Sequence, residues 1–372
     1  MTVSAVGRNS EGRGPRRDRS PGLPIKENRN HPLKGVKTPL SGWNERIRMI
    51  KTTLFREGSF YKGNIHCHST RSDGRIAPEK VIEAYRERGY HFLMLTEHNI
   101  YTHFTGFDTD QFLLLPGMEI NAPPDIHEIR DYHFLVIPGT KEQRAQATLP
   151  PYVHDQRLDL RPFDSYEYLQ SLIDDAYYRG NQVIINHPYW SKVEYDQILP
   201  LKRLCGLEVF NYCSKVLENV GEAFSTWDAV LRSGMRLWGT AVDDAHNFYP
   251  YDSGGNDSFG GYIMVKAKSF TQDGLMEAFA AGSFYGTSGP EIRDFYVEDN
   301  MVHFVCSPVS RIFLNGHQRQ IRVKWAEPGE TLTELVCPLY GETKYSEKER
   351  YVRAECYDAQ GRKAFTNPIW LT

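Results

Sequence analysis

Several features are scarce in this chain of 372 residues, and each scarcity removes a class of function. No uninterrupted apolar run approaches a membrane span, and the first residues lack the apolar core of a secretory signal. The expectation is a cytoplasmic protein with no membrane partner. The six cysteines (67, 205, 213, 306, 337 and 356) form no Cys-x-x-Cys pair, which argues against a structural zinc knot and for free thiols rather than a disulfide framework. Charge imbalance is missing too. A net charge of -3 gives no global reason to expect nucleic acid as a partner. The exception is local: residues 1–40 carry nine basic and three acidic side chains in a Gly-, Pro-, Arg- and Ser-rich stretch, which reads as a disordered basic tail with no assigned function.

What is present describes an ordered globular protein, long enough for one large domain and a smaller one. Over residues 41–290 short apolar runs end in polar or ionisable groups, at 63–69, 91–98, 112–119, 132–137, 182–187, 206–211 and 236–246. Helical stretches are predicted at 77–89, with Pro78 in the first turn and Gly89 at the end, at 165–179 before Gly180, and at 216–232 before Gly234. Continuous apolar runs alternating with helices predict an α/β fold with a parallel sheet, and seven units predict a (β/α)7 barrel with its chemistry at the carboxyl ends of the strands. His133 departs from that rule, because it begins its run: either the strand starts earlier, around His127, or the unit is irregular. Residues 291–372 read as a small all-β, sandwich-like domain, opening with a hairpin that turns at Asp299-Asn300.

Chemistry gathers at the ends of the runs. His66 and His68, two apart on a strand, face the same side and can close on one divalent ion. Asp244 and His246 repeat that spacing, and Asp73, Glu97-His98, Glu119, His133 and His187 complete the set. Six of the 13 histidines among several carboxylates at one barrel end would be electrostatically costly without bound cations. Mixed imidazole and carboxylate donors suit Zn, Mn or Fe better than Ca or Mg.

These residues, with Thr96-Glu-His-Asn99, Gly117-Met-Glu119 and Asn186-His-Pro188, resemble the PHP (polymerase and histidinol phosphatase) family of metallohydrolases, in the family's order over about residues 60–250. The stretches Gly286-Thr-Ser-Gly-Pro290 and Thr366-Asn-Pro-Ile-Trp370 further resemble its carbaryl-hydrolase-like branch. The resemblance implies a distorted seven-unit barrel with two or three divalent metal ions. One ion would take His66, His68, Glu119 and Asp244; a second would share Glu119 and add His133 and His187; a third would take Asp73, His98 and His246. Glu97 stands where many members have Asp, which bears on its outer-sphere or proton-handling role.

The expected activity is phosphoester hydrolysis of a small phosphorylated substrate by a metal-bridging hydroxide, with Asp244 and Glu97 in the catalytic set. Cys67 fits poorly as a nucleophile, because alternation turns it away from its histidine neighbours. Arg71 and Arg75 flank Asp73, Lys192 follows His187, and Lys215 follows the sixth run; of these, Arg71 and Lys215 are the leading candidates for holding phosphate. The loop 247–261 reads as a lid or as ordinary turns. Two other readings stand beside the first: a metal-dependent ester or carbamate hydrolase, and a non-catalytic module that keeps its metals for structure.

Overall fold

The computed structural model describes residues 50–124, 129–318, 320–339 and 349–371, so the basic tail and His127 lie outside it. The chain begins with β1 (Ile50–Lys51), β2 (Ser59–Asn64), α1 (Pro78–Glu87), β3 (Phe92–Met94) and β4 (Leu113–Leu115). Helix α1 forms where its signals lie: Pro78 opens it, Val81, Ile82 and Tyr85 give it a buried face, and Gly89 leaves it at φ 72°. Next come β5 (Met118–Ala122), β6 (Tyr132–Pro138), α2 (Lys141–Ala145), α3 (Tyr166–Tyr178) and β7 (Asn181–Ile185). Ser165 caps α3 by accepting the Tyr168 N–H at 3.3 Å.

Then follow α4 (Tyr195–Ile198), β8 (Leu204–Asn211), α5 (Tyr212–Glu218), α6 (Phe224–Arg232) and β9 (Trp238–Val242). The single helix expected over 216–232 is therefore two. Asn219 turns left-handed at φ 58°, and Gly221 approaches the Asn211 carbonyl so closely that a Cβ would sit 2.1 Å from its oxygen.

β10 (Tyr262–Ala267), α7 (Gln272–Ala280) and β11 (Phe284–Thr287) lead into β12 (Ile292–Glu298), β13 (Met301–Val309), β14 (Arg311–Gly316), β15 (Gln320–Trp325) and β16 (Leu332–Pro338). The last strands are β17 (Tyr351–Tyr357), β18 (Lys363–Thr366) and β19 (Ile369–Trp370). The β12–β13 hairpin turns at Asp299 and Asn300, both at positive φ (46° and 67°), as a two-residue hairpin requires.

The fold is a strand-rich α/β structure, and its ladders do not close into a barrel. One sheet has the order β5-β6-β7-β8-β9; another runs β15-β14-β17-β18-β11-β10-β2-β3-β4. The all-parallel expectation needs correction, because β6 is antiparallel to both β5 and β7, and β2 is antiparallel to β10. Only residues 123–131 separate β5 from β6, fewer than the dozen or more that a parallel crossover requires. The reversal of β6 also accounts for His133. In a reversed strand the first residues lie at the sheet end where the neighbouring parallel strands finish.

The two sheets touch at two isolated parallel bridges, Cys67 to Ala245 and His98 to Glu119. Behind them, the largest apolar cluster joins Phe134, Ile173, Trp227 and Val230 to Tyr351 and Phe365 of the late strands, each burying area worth about 1.5–3 kcal/mol. All six cysteines are free. Among the described residues no helix is long and apolar enough to cross a membrane.

Candidate metal centre

Strand β2 continues as extended chain into residues 65–68. Alternation sends Cys67 into an apolar cluster with Tyr85 and Leu95, and His66 and His68 inward, both fully buried. Asp244 donates its N–H to His66 O at 2.9 Å, and His68 donates to Ala245 O at 2.9 Å, so the two His- and Asp-bearing segments lie side by side. Asp244 adopts φ 56° there, a conformation that Asp and Asn tolerate better than other side chains. On the far side, Asn99 donates to Glu119 O at 2.7 Å and places His98 beside Glu119.

Four donor atoms converge. The Nε2 atoms of His66 and His68 lie 3.2 Å apart; each is 3.1 Å from Asp244 Oδ1 and 3.3 Å from Glu119 Oε2. Donors about 2.0–2.1 Å from a tetrahedral ion lie about 3.3–3.4 Å from one another, so the spacing is that of a ligand shell. Protonation points the same way. His66 Nδ1 is 2.6 Å from Glu208 Oε1, and since a carboxylate only accepts, Nδ1 carries a proton, so that the ring in its neutral form turns a lone pair inward at Nε2. Glu119 Oε2, buried among three imidazoles, has no hydrogen-bond partner; nor has His98 Nδ1, 3.0 Å away. Lone pairs facing lone pairs in a buried space call for a cation, and these donors fit a divalent metal.

The cluster extends in two directions. His133 Nδ1 and His187 Nε2 approach Glu119 Oε1 at 2.9 and 3.3 Å, and Asn186 Nδ2 donates to the same oxygen at 2.7 Å. At the other end Asp73 Oδ2 lies 3.5 Å from both His98 Nε2 and His246 Nε2. Four groups among the described residues could hold an ion: His66, His68, Glu119 and Asp244; His98, Glu119 and His133; His68, Asp73, His98 and His246; and, sharing His246 at the edge, Cys213, His246 and Asp257. His98 borders two of them, through different ring nitrogens.

Without ions, protons balance these charges. Burial disfavours charge on His66, but Asp244, Glu208 and Glu119 outweigh it and hold the imidazole well above its ordinary range. The same contest raises His98 to about 10 and His133 to about 9, Glu119 acting on both. Burial would also raise the carboxyls of Glu119 and Asp244, yet the surrounding imidazoles, His66 foremost, hold both well below the usual range.

All nine expected ligands thus meet in one cluster, but the other expected residues do not join it. Arg71 pairs with Asp155 at 2.7 Å and Lys215 with Glu222 at 3.0 Å. Buried Glu97 accepts from the Ser69 N–H at 3.2 Å and from the hydroxyls of Ser69 and Ser72, which fixes the turn leading to Asp73. The 247–261 loop is held down rather than free: Asp243 accepts the N–H groups of Phe259, Gly260 and Gly261 at 2.7–2.9 Å. Sequence reasoning missed Glu208, whose Oε2 accepts the His187 N–H at 3.0 Å, and Asn211, which joins Glu208 to Asp244. An acidic residue in the middle of a continuous apolar strand was the available signal. Asp131, 3.2 Å from His133 Nε2, and Asp257, which accepts the His246 N–H at 2.9 Å, were also missed.

No protein-family model matches the chain, and no curated protein does. Solved structures do. A two-domain protein from Bacteroides vulgatus containing a predicted PHP-like metal-dependent phosphoesterase is 15% identical at TM-score 0.44, covering 84% of this chain and 94% of its own. A protein from Bifidobacterium adolescentis assigned as a metal-dependent phosphoesterase is 15% identical at TM-score 0.32, covering 51% and 89%. An amidohydrolase from Chromobacterium violaceum, with sulfate bound and no metal, is 15% identical at TM-score 0.33, covering 50% and 87%. At such identities and scores the likeness carries no functional argument, and the reading of this chain rests on its own cluster.

Proposed function

We propose that this chain is a metal-dependent hydrolase of the PHP type, with two or three divalent ions and a small phosphorylated substrate. The observation that carries the proposal is the buried convergence of His66, His68, Glu119 and Asp244 donor atoms at 3.1–3.3 Å. These four would hold one ion; Glu119, with His133 and His187 or His98, a second; Asp73, His98 and His246 a third. Bound there, Zn, Mn or Fe would acidify water and polarise the scissile bond.

The chain's own residues do the rest. Glu208 keeps the His66 proton on Nδ1, and Asn186 holds Glu119 by one oxygen so that the other points inward. Glu97 braces the turn that presents Asp73. In this reading residues 41–290 form the family's distorted barrel, completed at the cluster rather than by a continuous ladder, and 291–372 form the β domain beside it.

A second reading, hydrolysis of a neutral ester or carbamate as in the carbaryl-hydrolase-like branch, draws on one observation: Arg71 and Lys215 are both neutralised by carboxylates. The test is elemental analysis of the purified protein, paired with assays on p-nitrophenyl phosphate, a phosphodiester and an aryl ester. Bound metal with phosphoester turnover is the expected result. Full metal occupancy with no hydrolysis would leave a binding module, and a protein that takes up no metal would overturn the proposal.

A further inference from the structure

Four cations follow the strands that carry the cluster, Arg71, Arg75 and Lys192 on loops and Lys215 on α5, and they are not equivalent. Arg71 and Lys215 are ion-paired, as described. Lys192 lines a cavity of about 610 Å³ together with Glu194, Gln197 and Thr226, on the side of α4 and α6. Arg75 is different. Its N–H donates to His246 O at 2.8 Å, and its guanidinium lies 5.2 Å from the Phe248 ring centre. That ring is stacked on the His246 imidazole at 5.3 Å and 4°. Among the described residues no carboxylate pairs with the exposed guanidinium. A charged side chain is thus fixed against a ring that rests on an expected metal ligand, two residues from Asp73, with its charge uncompensated.

Resting on the metal-hydrolase reading, we propose that Arg75 receives the substrate phosphate, and that the substrate is a phosphomonoester. A planar guanidinium offers two parallel N–H groups that match two phosphate oxygens, which an ammonium cannot do. A monoester has three non-bridging oxygens, so two can meet the guanidinium fork while the third faces the cluster. A diester has only two, and a fork that took both would leave none for the cluster. Phe248 holds the fork in place before the substrate arrives, so little side-chain freedom is lost on binding.

The test uses the metal-loaded full chain and Arg75→Met, Arg75→Lys, Arg71→Met, Lys192→Met and Lys215→Met, with metal content measured for each. Calorimetry reads the affinity for inorganic phosphate, and assays read p-nitrophenyl phosphate, bis-p-nitrophenyl phosphate and p-nitrophenyl acetate. Arg75→Met is expected to weaken phosphate binding and raise KM for the monoester about tenfold or more at unchanged metal content, lowering selectivity for monoester over the other two substrates. Arg75→Lys should recover part of the loss. Phosphate affinity in Arg75→Met equal to that of the parent, a larger loss in any of the other three variants, or an equal loss on the diester would each overturn the proposal. Arg75-dependent phosphate binding without any turnover would sink the hydrolase reading, and with it the monoester substrate, while leaving Arg75 as a phosphate-binding residue. Monoester turnover indifferent to Arg75 would do the reverse.

Discussion

Glu208→Gln tests whether the cluster is a metal site without touching any expected ligand. Glu208 makes three contacts: Oε1 to His66 Nδ1 at 2.6 Å, and Oε2 to the His187 N–H at 3.0 Å and Asn211 Nδ2 at 3.2 Å. All three partners donate, so the carboxylate satisfies them all. An amide of the same shape has one accepting end. If its oxygen faces His187 and Asn211, its NH2 faces His66 Nδ1 and drives the ring proton to Nε2, where it blocks the inward lone pair. If it faces His66, two donors are left pointing at a donor. Either orientation disturbs a ligand, and loss of such an outer partner typically weakens metal binding about 10–100-fold, or about 1.4–2.7 kcal/mol. The assay is titration with Zn or Mn followed by elemental analysis, with circular dichroism to confirm that the variant is folded. A folded variant that binds as many ions as the parent, with affinity within about threefold, would refute the reasoning.

Two further perturbations act on different parts of the cluster. In the metal-free protein His98 and His133, raised to about 10 and about 9, are protonated near neutrality; their stabilising contribution is complete below the free-imidazole value near ~6.5 and is lost as pH rises through 9 to 10. Metal must displace those protons, so apparent affinity should climb from neutral pH upward, with proton release visible by calorimetry in two buffers; a flat profile would count against ligation by these rings. Gly74→Ala places a Cβ 2.7 Å from the Ser69 backbone nitrogen and must push the Asp73 turn outward, so it should lower metal content at the His98–His246 end while the His66–Glu119 ion stays; unchanged stoichiometry would show that Asp73 is not needed for loading.

How far the sequence could be read depended on whether the signal was local. His66 with His68 and Asp244 with His246 are legible because strand periodicity sets same-face geometry over two residues. Helices α1 and α3 are legible from Pro78, Ser165 and their closing glycines. Strand direction is not, since an apolar run reads the same whichever way it is laid into a sheet, and β6 was therefore expected to run with its neighbours. Partners remote in sequence are equally hidden: Glu208 reaches His66 across 142 residues, and Arg71 meets Asp155 across 84. Hence the inward-facing residues were found, whereas their supports, and the pairing of the surface cations, required coordinates.

The seam between the two sheets carries a last consequence. Where those sheets meet at the cluster, their isolated bridges are Cys67 to Ala245 and His98 to Glu119, and expected ligands make or flank both. Apolar packing that groups Ile65 and Ile263 with Leu135, Ile184 and Val242 joins the sheets nearby, but these bridges directly flank whatever sits between His66, His68, Glu119 and Asp244. With an ion at a hundred times its dissociation constant, linkage adds about 2.7 kcal/mol to the folded state, and local opening at the seam becomes about a hundredfold rarer. Amides at the seam should report this by hydrogen exchange: His68 to Ala245 O, Asp244 to His66 O and Asn99 to Glu119 O, at 2.7–2.9 Å, should lose protection when metal is chelated. Amides in the β14–β17 ladder, far from the cluster in the sheet order, should change much less. Equal loss in both regions would mean that metal stabilises the chain as a whole; no loss at the seam would mean that the sheets are joined by packing alone and that the buried donors never shared an ion.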